Sequence, residues 1–264
     1  MRNTLAIAGK EARIYLTTWT SYILFGAFLL ISAFFFQRLV IEFQFRSMQY
    51  MQMQQPGVLE QMNLTDWVMG PLFLNITVFF LFMLPILTMR LLAEERRTKT
   101  LELLMTSPVR AWEIVLGKYL GALAMMAIML ALTTVFPLLL AIYGGSSGTT
   151  GALDWHTVAT SYLGMLLLGA SFVSVGLFAS SVTDSQIVAV IVGFAALLMF
   201  YVIGLAARGE EGFWQAFFEH LSITGHLDGF VRGIIKVGDV VYYLSLVFVG
   251  LFLSHRVVDA LRYR

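Results

Sequence analysis

Side chains suited to catalysis are few in this chain of 264 residues, and they are poorly spaced for it. Gly145-Ser146-Ser147-Gly148 mimics the GxSG loop of intramembrane serine proteases, with His255 as the base it would need. Nucleophile and base must lie within hydrogen-bond reach. The threading derived below puts these two at opposite faces of a membrane, so Gly-Ser-Ser-Gly reads as a turn. His220 with His226, or the thioethers of Met48, Met51 and Met53, are metal-ligand types without the spacing of a closed site. Methionine in so apolar a chain is first a packing residue. Cysteine is absent, which removes disulfides, thiolate chemistry and Cys-based metal sites. Gly9-Lys10 and Gly117-Lys118 do not belong to a GxxxxGK[ST] phosphate loop. The reading is therefore of a chain without a catalytic centre, metal or cofactor of its own.

The densest polar stretch is different in kind. Arg90-Leu-Leu-Ala-Glu94-Glu95-Arg96-Arg97-Thr98-Lys99-Thr100-Leu101-Glu102-Leu103-Leu104-Met105-Thr106-Ser107-Pro108-Val109-Arg110 leads to Gly117-Lys118. Glu95 and Lys99 stand four apart in the favourable order, Leu101 and Leu104 share a helix face, and Ser107-Pro108 forms an N-cap and first-turn pair. The pattern predicts a short amphipathic helix projecting from a membrane between two long helices, a geometry that transmits a push.

The elements that hold this segment are apolar. Hydrophobic residues make up 59% of the chain and charged residues only 12%, half the usual share of a soluble globule. Residues 14–37, 67–89, 119–153, 155–183 and 185–207 hold no Asp, Glu, Lys or Arg, and a shorter window, 240–255, is equally apolar. A bilayer core of roughly 30 Å needs about 20 helical residues, so the fold class is an all-α polytopic membrane protein with six transmembrane helices. The first window starts late and ends in Phe34-Phe35-Phe36-Gln37 without a small-x-small site, so it reads as a retained span and not a cleaved leader. With the N-terminus inside, the inner segments carry twelve Lys and Arg against five in the outer ones. The positive-inside rule then places both termini in the cytoplasm. The formal charge of +1 and the lack of a soluble basic face exclude a nucleic-acid partner.

Three regions around the spans stand out. Leu5, Ala8, Ala12, Tyr15, Leu16 and Trp19 recur at helical spacing, which predicts an interfacial helix over residues 1–18 on the lipid bilayer, with an extension of the first span as the alternative. Residues 90–118 form the cytoplasmic segment. Residues 208–238 are neither span nor polar loop: Phe213, Trp214, Phe217, Phe218 and Leu221 form an aromatic stripe, Gly225 offers a helix stop, and Phe230, Ile234 and Ile235 resume the apolar pattern. A re-entrant helical hairpin or a pair of surface helices fits them. Pro85 and Pro137 should kink spans two and three. Ala170 with Ser174, Gly176 with Ser180 and Ala189 with Gly193 let backbones approach closely, within one subunit or between two.

Glu94-Glu95-Arg96-Arg97-Thr98-Lys99-Thr100-Leu101-Glu102-Leu103-Leu104, with Ser107-Pro108-Val109 and Gly117-Lys118, resembles the signature of ABC-2-type exporter permeases, most of all the branch containing the gliding-motility-associated and NosY-like permeases. Lys10-Glu11 before the first span and His226-Leu-Asp-Gly-Phe230-Val-Arg232-Gly233, continuing to Asp239, agree with it. The resemblance implies a single transmembrane domain over 1–264 that pairs with a second copy or a related permease. It implies a loop after span two that docks on a separate ABC ATPase dimer, which binds ATP and Mg and drives export or extrusion. It also implies a bacterial cytoplasmic (inner) membrane location and accommodates an auxiliary subunit exposed outside. The coupling residues it points to are Glu94, Glu95, Arg96, Thr100, Leu101, Glu102, Leu104, Ser107, Pro108, Gly117 and Lys118. One departure is Lys99, where the family usually has Gly, so glycine's backbone freedom is absent. An ion-coupled transporter or channel, and a non-transporting scaffold, are the other classes of function. The first normally carries charges within its spans, and the five longest windows have none.

Overall fold

The computed structural model describes residues 2–53, 62–100, 109–143, 153–206 and 220–262. Among them there is no strand, and six helical spans are long and apolar enough to cross a membrane. α1 (Arg2–Thr17) is separated from α2 (Trp19–Gln52) by the extended backbone of Thr18. Span two begins with a π-helical turn, Thr65–Met69, runs through α3 (Gly70–Thr88) and continues into α4 (Arg90–Arg97). Span three is α5 (Ala111–Leu132) with α6 (Val135–Tyr143). α7 (Trp155–Val182) and α8 (Gln186–Ala206) are spans four and five. The short α9 (Ile223–Val231) precedes α10 (Val237–Arg262), the sixth.

Several boundaries differ from the charge-free windows. Ile14 to Thr17 belong to α1, so the first span starts at Trp19 and not at residue 14. Span three starts eight residues before the 119–153 window, because Lys118 is buried inside it. Ser107-Pro108 lie outside the described residues, and they do not start α5: its N-cap is Arg110, whose backbone N–H donates to Glu113 Oε2 at 3.0 Å. Gly225 ends no helix. It sits in the first turn of α9 and donates its N–H to the N-cap hydroxyl of Ser222.

α7 is the axis of the bundle, packing against α3, α5, α8, α9 and α10. Its small residues make this feasible, since polar and apolar helices alike approach closely only where side chains are short. A Cβ on Gly169 would lie 2.7 Å from Met126 Sδ and one on Gly164 2.6 Å from Phe230 Cβ, while Gly250 of α10 sits against Ser174. The small pairs expected from the sequence are thus spent inside the subunit: Gly176 meets Thr88, and Gly193 meets Ala179 and Pro85. Asp154 caps α7, accepting from His156 N and Thr157 Oγ1. The Thr157 bond holds its carboxyl below the usual carboxylate range. α2 is the least enclosed span and touches the body through Phe28 on Phe80 and Phe36 on Phe136.

The two prolines act differently. Pro137 cannot bond the carbonyl of Thr133, and the helix breaks there, with Thr133 and Thr134 N–H turning to the carbonyls three residues back. α3 is continuous through Pro85.

α1 lies across the start of α5, and glycines decide how close. A Cβ on Gly117 would stand 2.7 Å from Ile7 Cβ, and one on Gly121 2.6 Å from Glu11 Cβ. Gly9, on another side of α1, has open space. We expect Gly121→Leu to lower stability by about 1 to 3 kcal/mol through forced separation of the helices, and Gly9→Ala to raise it by up to about 1 kcal/mol through helix propensity. Thermal unfolding of the purified protein in detergent reads both, and equal shifts of one sign would contradict this packing.

Candidate coupling site

Lys118 is the residue around which the site is built. Its side chain is 3% exposed, and its Nζ is 2.8 Å from Glu11 Oε1 of α1 and 2.8 Å from Glu95 Oε1 of α4. The two carboxylates are themselves 9% and 14% exposed, and Glu95 Oε2 is buried without a hydrogen-bond partner among the described residues. Three stretches far apart in sequence, Lys10-Glu11, Glu94-Glu95 and Gly117-Lys118, therefore meet in one place. The helical pair expected between Glu95 and Lys99 does not form. Glu95 turns inward to Lys118, and Lys99 lies beyond the end of α4 with φ 56°. The position where the family usually has Gly is the one described non-glycine residue in the left-handed region.

Tyr15 completes the inner wall. It is buried, donates its hydroxyl to Leu87 O at 2.6 Å and lies under the Arg90 guanidinium, 5.0 Å from the ring centroid. Burial, and then the charge of Glu11, push its phenol well above the ordinary tyrosine range, so it serves as a neutral donor. α1 thus has three faces. Ala8, Glu11 and Tyr15 turn to the bundle, Arg2, Lys10 and Arg13 are exposed, and Leu5 and Leu16 form a separate exposed apolar strip. The single apolar face read from the sequence is in fact divided between the protein and its surroundings.

α4 is fastened on its other side as well. Ser180 Oγ accepts from Leu92 N and Ala93 N and donates to Met89 O, while Arg96 reaches Ser181 O at 2.5 Å and Asp184 Oδ1 at 2.9 Å. Of the residues singled out in the sequence, Lys10, Glu11, Glu94, Glu95, Thr100 and Lys118 border one cavity of about 490 Å³. Arg96 faces the α7–α8 turn, and Gly117 carries the α1 contact. Leu101, Glu102, Leu104, Ser107 and Pro108 lie outside the described residues. Tyr15, Ser180 and Asp184 were missed, since a helical serine looks like a small packing residue and a lone turn aspartate like solvated charge.

The opposite end holds a second, unconnected cluster. His226 Nδ1 is 2.7 Å from Asp239 Oδ1, its Nε2 faces the His220 carbonyl at 3.2 Å, and its ring stacks on Tyr242 at 4.0 Å. Both ring nitrogens are thereby occupied within the protein. Phe230 is buried against α7, and its carbonyl accepts from Thr160 Oγ1 at 3.0 Å. Arg232 pairs with Asp228, and Gly233, with φ 79°, ends α9 in the left-handed conformation beside Thr157. His255 stacks on Trp112 at 4.4 Å, at the start of the span whose far end leads to Gly145.

The family model for ABC-2 family transporter proteins matches residues 5–212, from within α1 to past α8. The chain belongs to the ABC-2 transporter family. No curated protein matches it significantly. As an ABC-2 protein it is the membrane-spanning permease part of an ABC transporter and not the ATPase, and the matched region contains the whole Glu11–Lys118–Glu95 triad.

Removing one partner of a buried ionic cluster strands the others, at about 3 to 5 kcal/mol. Lys118→Met should therefore lose that much stability, and the triple change Glu11→Gln, Lys118→Met, Glu95→Gln should recover most of it. Thermal unfolding in detergent checks both. A Lys118→Met protein as stable as the parent would show that the triad does not hold α1 and α4 to α5.

Proposed function

We propose that this chain couples ATP hydrolysis by a separate ABC ATPase dimer to export or extrusion of a substrate across or from the bacterial cytoplasmic membrane. It would work as one of two permeases, a second copy or a related chain. The observation that carries the reading is the double bridge from Lys118. It locks α1, α4 and α5 into one unit immediately before the polar segment that ends span two. Motion imposed on residues 98–110 by an ATPase would then reach spans two and three together, with α1 as their brace on the inner leaflet. ATP and Mg belong to the partner. Both termini are cytoplasmic in this reading, on the twelve-to-five distribution of basic residues. In this reading α9, with its His226–Asp239 tie, lies at the outer mouth, and the resemblance to the gliding-motility and NosY-like branch accommodates an auxiliary subunit exposed outside.

An ion-coupled mechanism is less well supported. The buried ionic groups stand at span ends: Lys118 is in the second turn of α5, and Glu95 is in α4, past the apolar run of span two. They are committed to one another instead of lining a path through the middle.

Orientation is tested with single cysteines, since the chain has none. In intact cells an impermeant thiol reagent should label a probe at Ser147 and spare one at Thr100, and the reverse pattern would reject the orientation. Coupling is tested by combining Leu104→Ala with Glu102→Ala. A leucine buried against the ATPase is worth on the order of 2 to 4 kcal/mol, so the double variant should insert normally yet lose ATPase co-purification or uncouple hydrolysis from transport. Normal assembly and normal transport would overturn the assignment.

A further inference from the structure

The cavity of about 490 Å³ beside the triad falls within the roughly 300 to 1,000 Å³ of small-ligand sites. The triad does not use its charges up. From α1 the cavity is lined by Lys10, Ile14 and Tyr15, from α4 by Arg90 and Glu94, and just past the end of α4 by Thr98. Lys10 and the Glu94 carboxylate have no ionic partner among the described residues. Arg90 meets the Thr20 and Ser21 hydroxyls, at 3.4 and 3.2 Å, and Tyr15, and pairs with no carboxylate among the described residues. Two cations without a carboxylate and one carboxylate without a cation therefore border the same space, with Arg90 and Glu94 one turn apart on one helix.

The cavity also lies beside the start of the first span. α1 ends at Thr17 and the first span starts at Trp19, two turns or less along the chain from the cavity-lining Ile14 and Tyr15. Ile14, at the cavity, is itself partly open.

We propose that this cavity binds an amine–phosphate zwitterion, presented by the headgroup of phosphatidylethanolamine. The phosphate sits between Lys10 and Arg90, and the ammonium donates to Glu94. Its acyl chains run past the exposed Ile14 towards the start of the first span. Phosphatidylglycerol brings the phosphate but leaves Glu94 without a counter-ion. Phosphatidylcholine brings a cation with no N–H to donate. The proposal rests on the membrane-spanning architecture and is independent of the ATPase coupling.

Native mass spectrometry of the full chain in detergent, with equimolar phosphatidylethanolamine, phosphatidylglycerol and phosphatidylcholine, tests it. The parent should retain phosphatidylethanolamine about fivefold over either competitor, the scale of one charge-assisted contact at a partly exposed site. Glu94→Gln, at an exposed position, should bring phosphatidylethanolamine and phosphatidylcholine to equal retention. Asp228→Asn, at the opposite end of the bundle, should keep the preference. Displacement by millimolar free phosphoethanolamine would show that the headgroup suffices, and resistance to it would show that the acyl chains hold the lipid. Both support the proposal. Equal retention of all three lipids by the parent, or an unchanged preference in Glu94→Gln, would overturn it.

Discussion

A lysine ammonium taken out of water needs counter-charge within contact distance, because each ion moved from solvent costs several kcal/mol even after relaxation. Lys118 meets that demand with two carboxylates drawn from two other helices, both at 2.8 Å. Much of the geometry at this end of the bundle follows. Glu11 reaches Lys118 because α1 lies flat on α5, which in turn requires the bare backbones of Gly117 and Gly121. Glu95 reaches it because α4 is steered inward by Ser180 and Arg96 on its far side. One buried charge thus fixes the placement of both α1 and α4 on α5.

The two ends of the bundle are held by different forces. Around Lys118 the contacts are ionic and link elements far apart in sequence. Around α9 they are mostly hydroxyl-to-carbonyl bonds and stacked rings, from Tyr242 to Leu221 O, from Tyr243 to Ile223 O and from Thr160 to Phe230 O, with the His226–Asp239 pair and the exposed Arg232–Asp228 pair among them. Between the ends, α7 supplies close contact without charge, its glycines and serines lying under Met126, Thr88, Gly250 and Phe230.

The six spans were legible because the absence of charge over some twenty positions is a strong signal and needs no knowledge of tertiary contacts. The same rule misplaced the start of span three, since it treats every lysine as solvated and Lys118 is not. The three charged dipeptides were visible as motifs, but nothing in a single sequence pairs residue 11 with residue 118. That pairing depends on α1 folding back, which the break at Thr18 permits and no local propensity dictates. Likewise the periodicity of α1 was read correctly as helical and wrongly as one face. Ala8 and Tyr15 serve packing, Leu5 and Leu16 do not, and a hydrophobicity pattern alone does not separate the two uses. Glu95 with Lys99 shows the opposite error, a sound local rule overruled by a buried partner.

Lys99 closes α4 with its backbone in the left-handed well, φ 56°. Glycine enters that well freely, whereas a side chain makes the visit cost about 1 to 3 kcal/mol, so it persists only where surrounding structure insists on it. The bend after Arg97 is consequently conditional. A nascent chain emerging past span two would favour other conformations at this residue, and the turn becomes the preferred one only after α4 has been seated by Ser180 and Lys118. The bend at Lys99 is in this sense an outcome of assembly, acquired late, and a permease whose triad has not closed would lack the contacts that hold it.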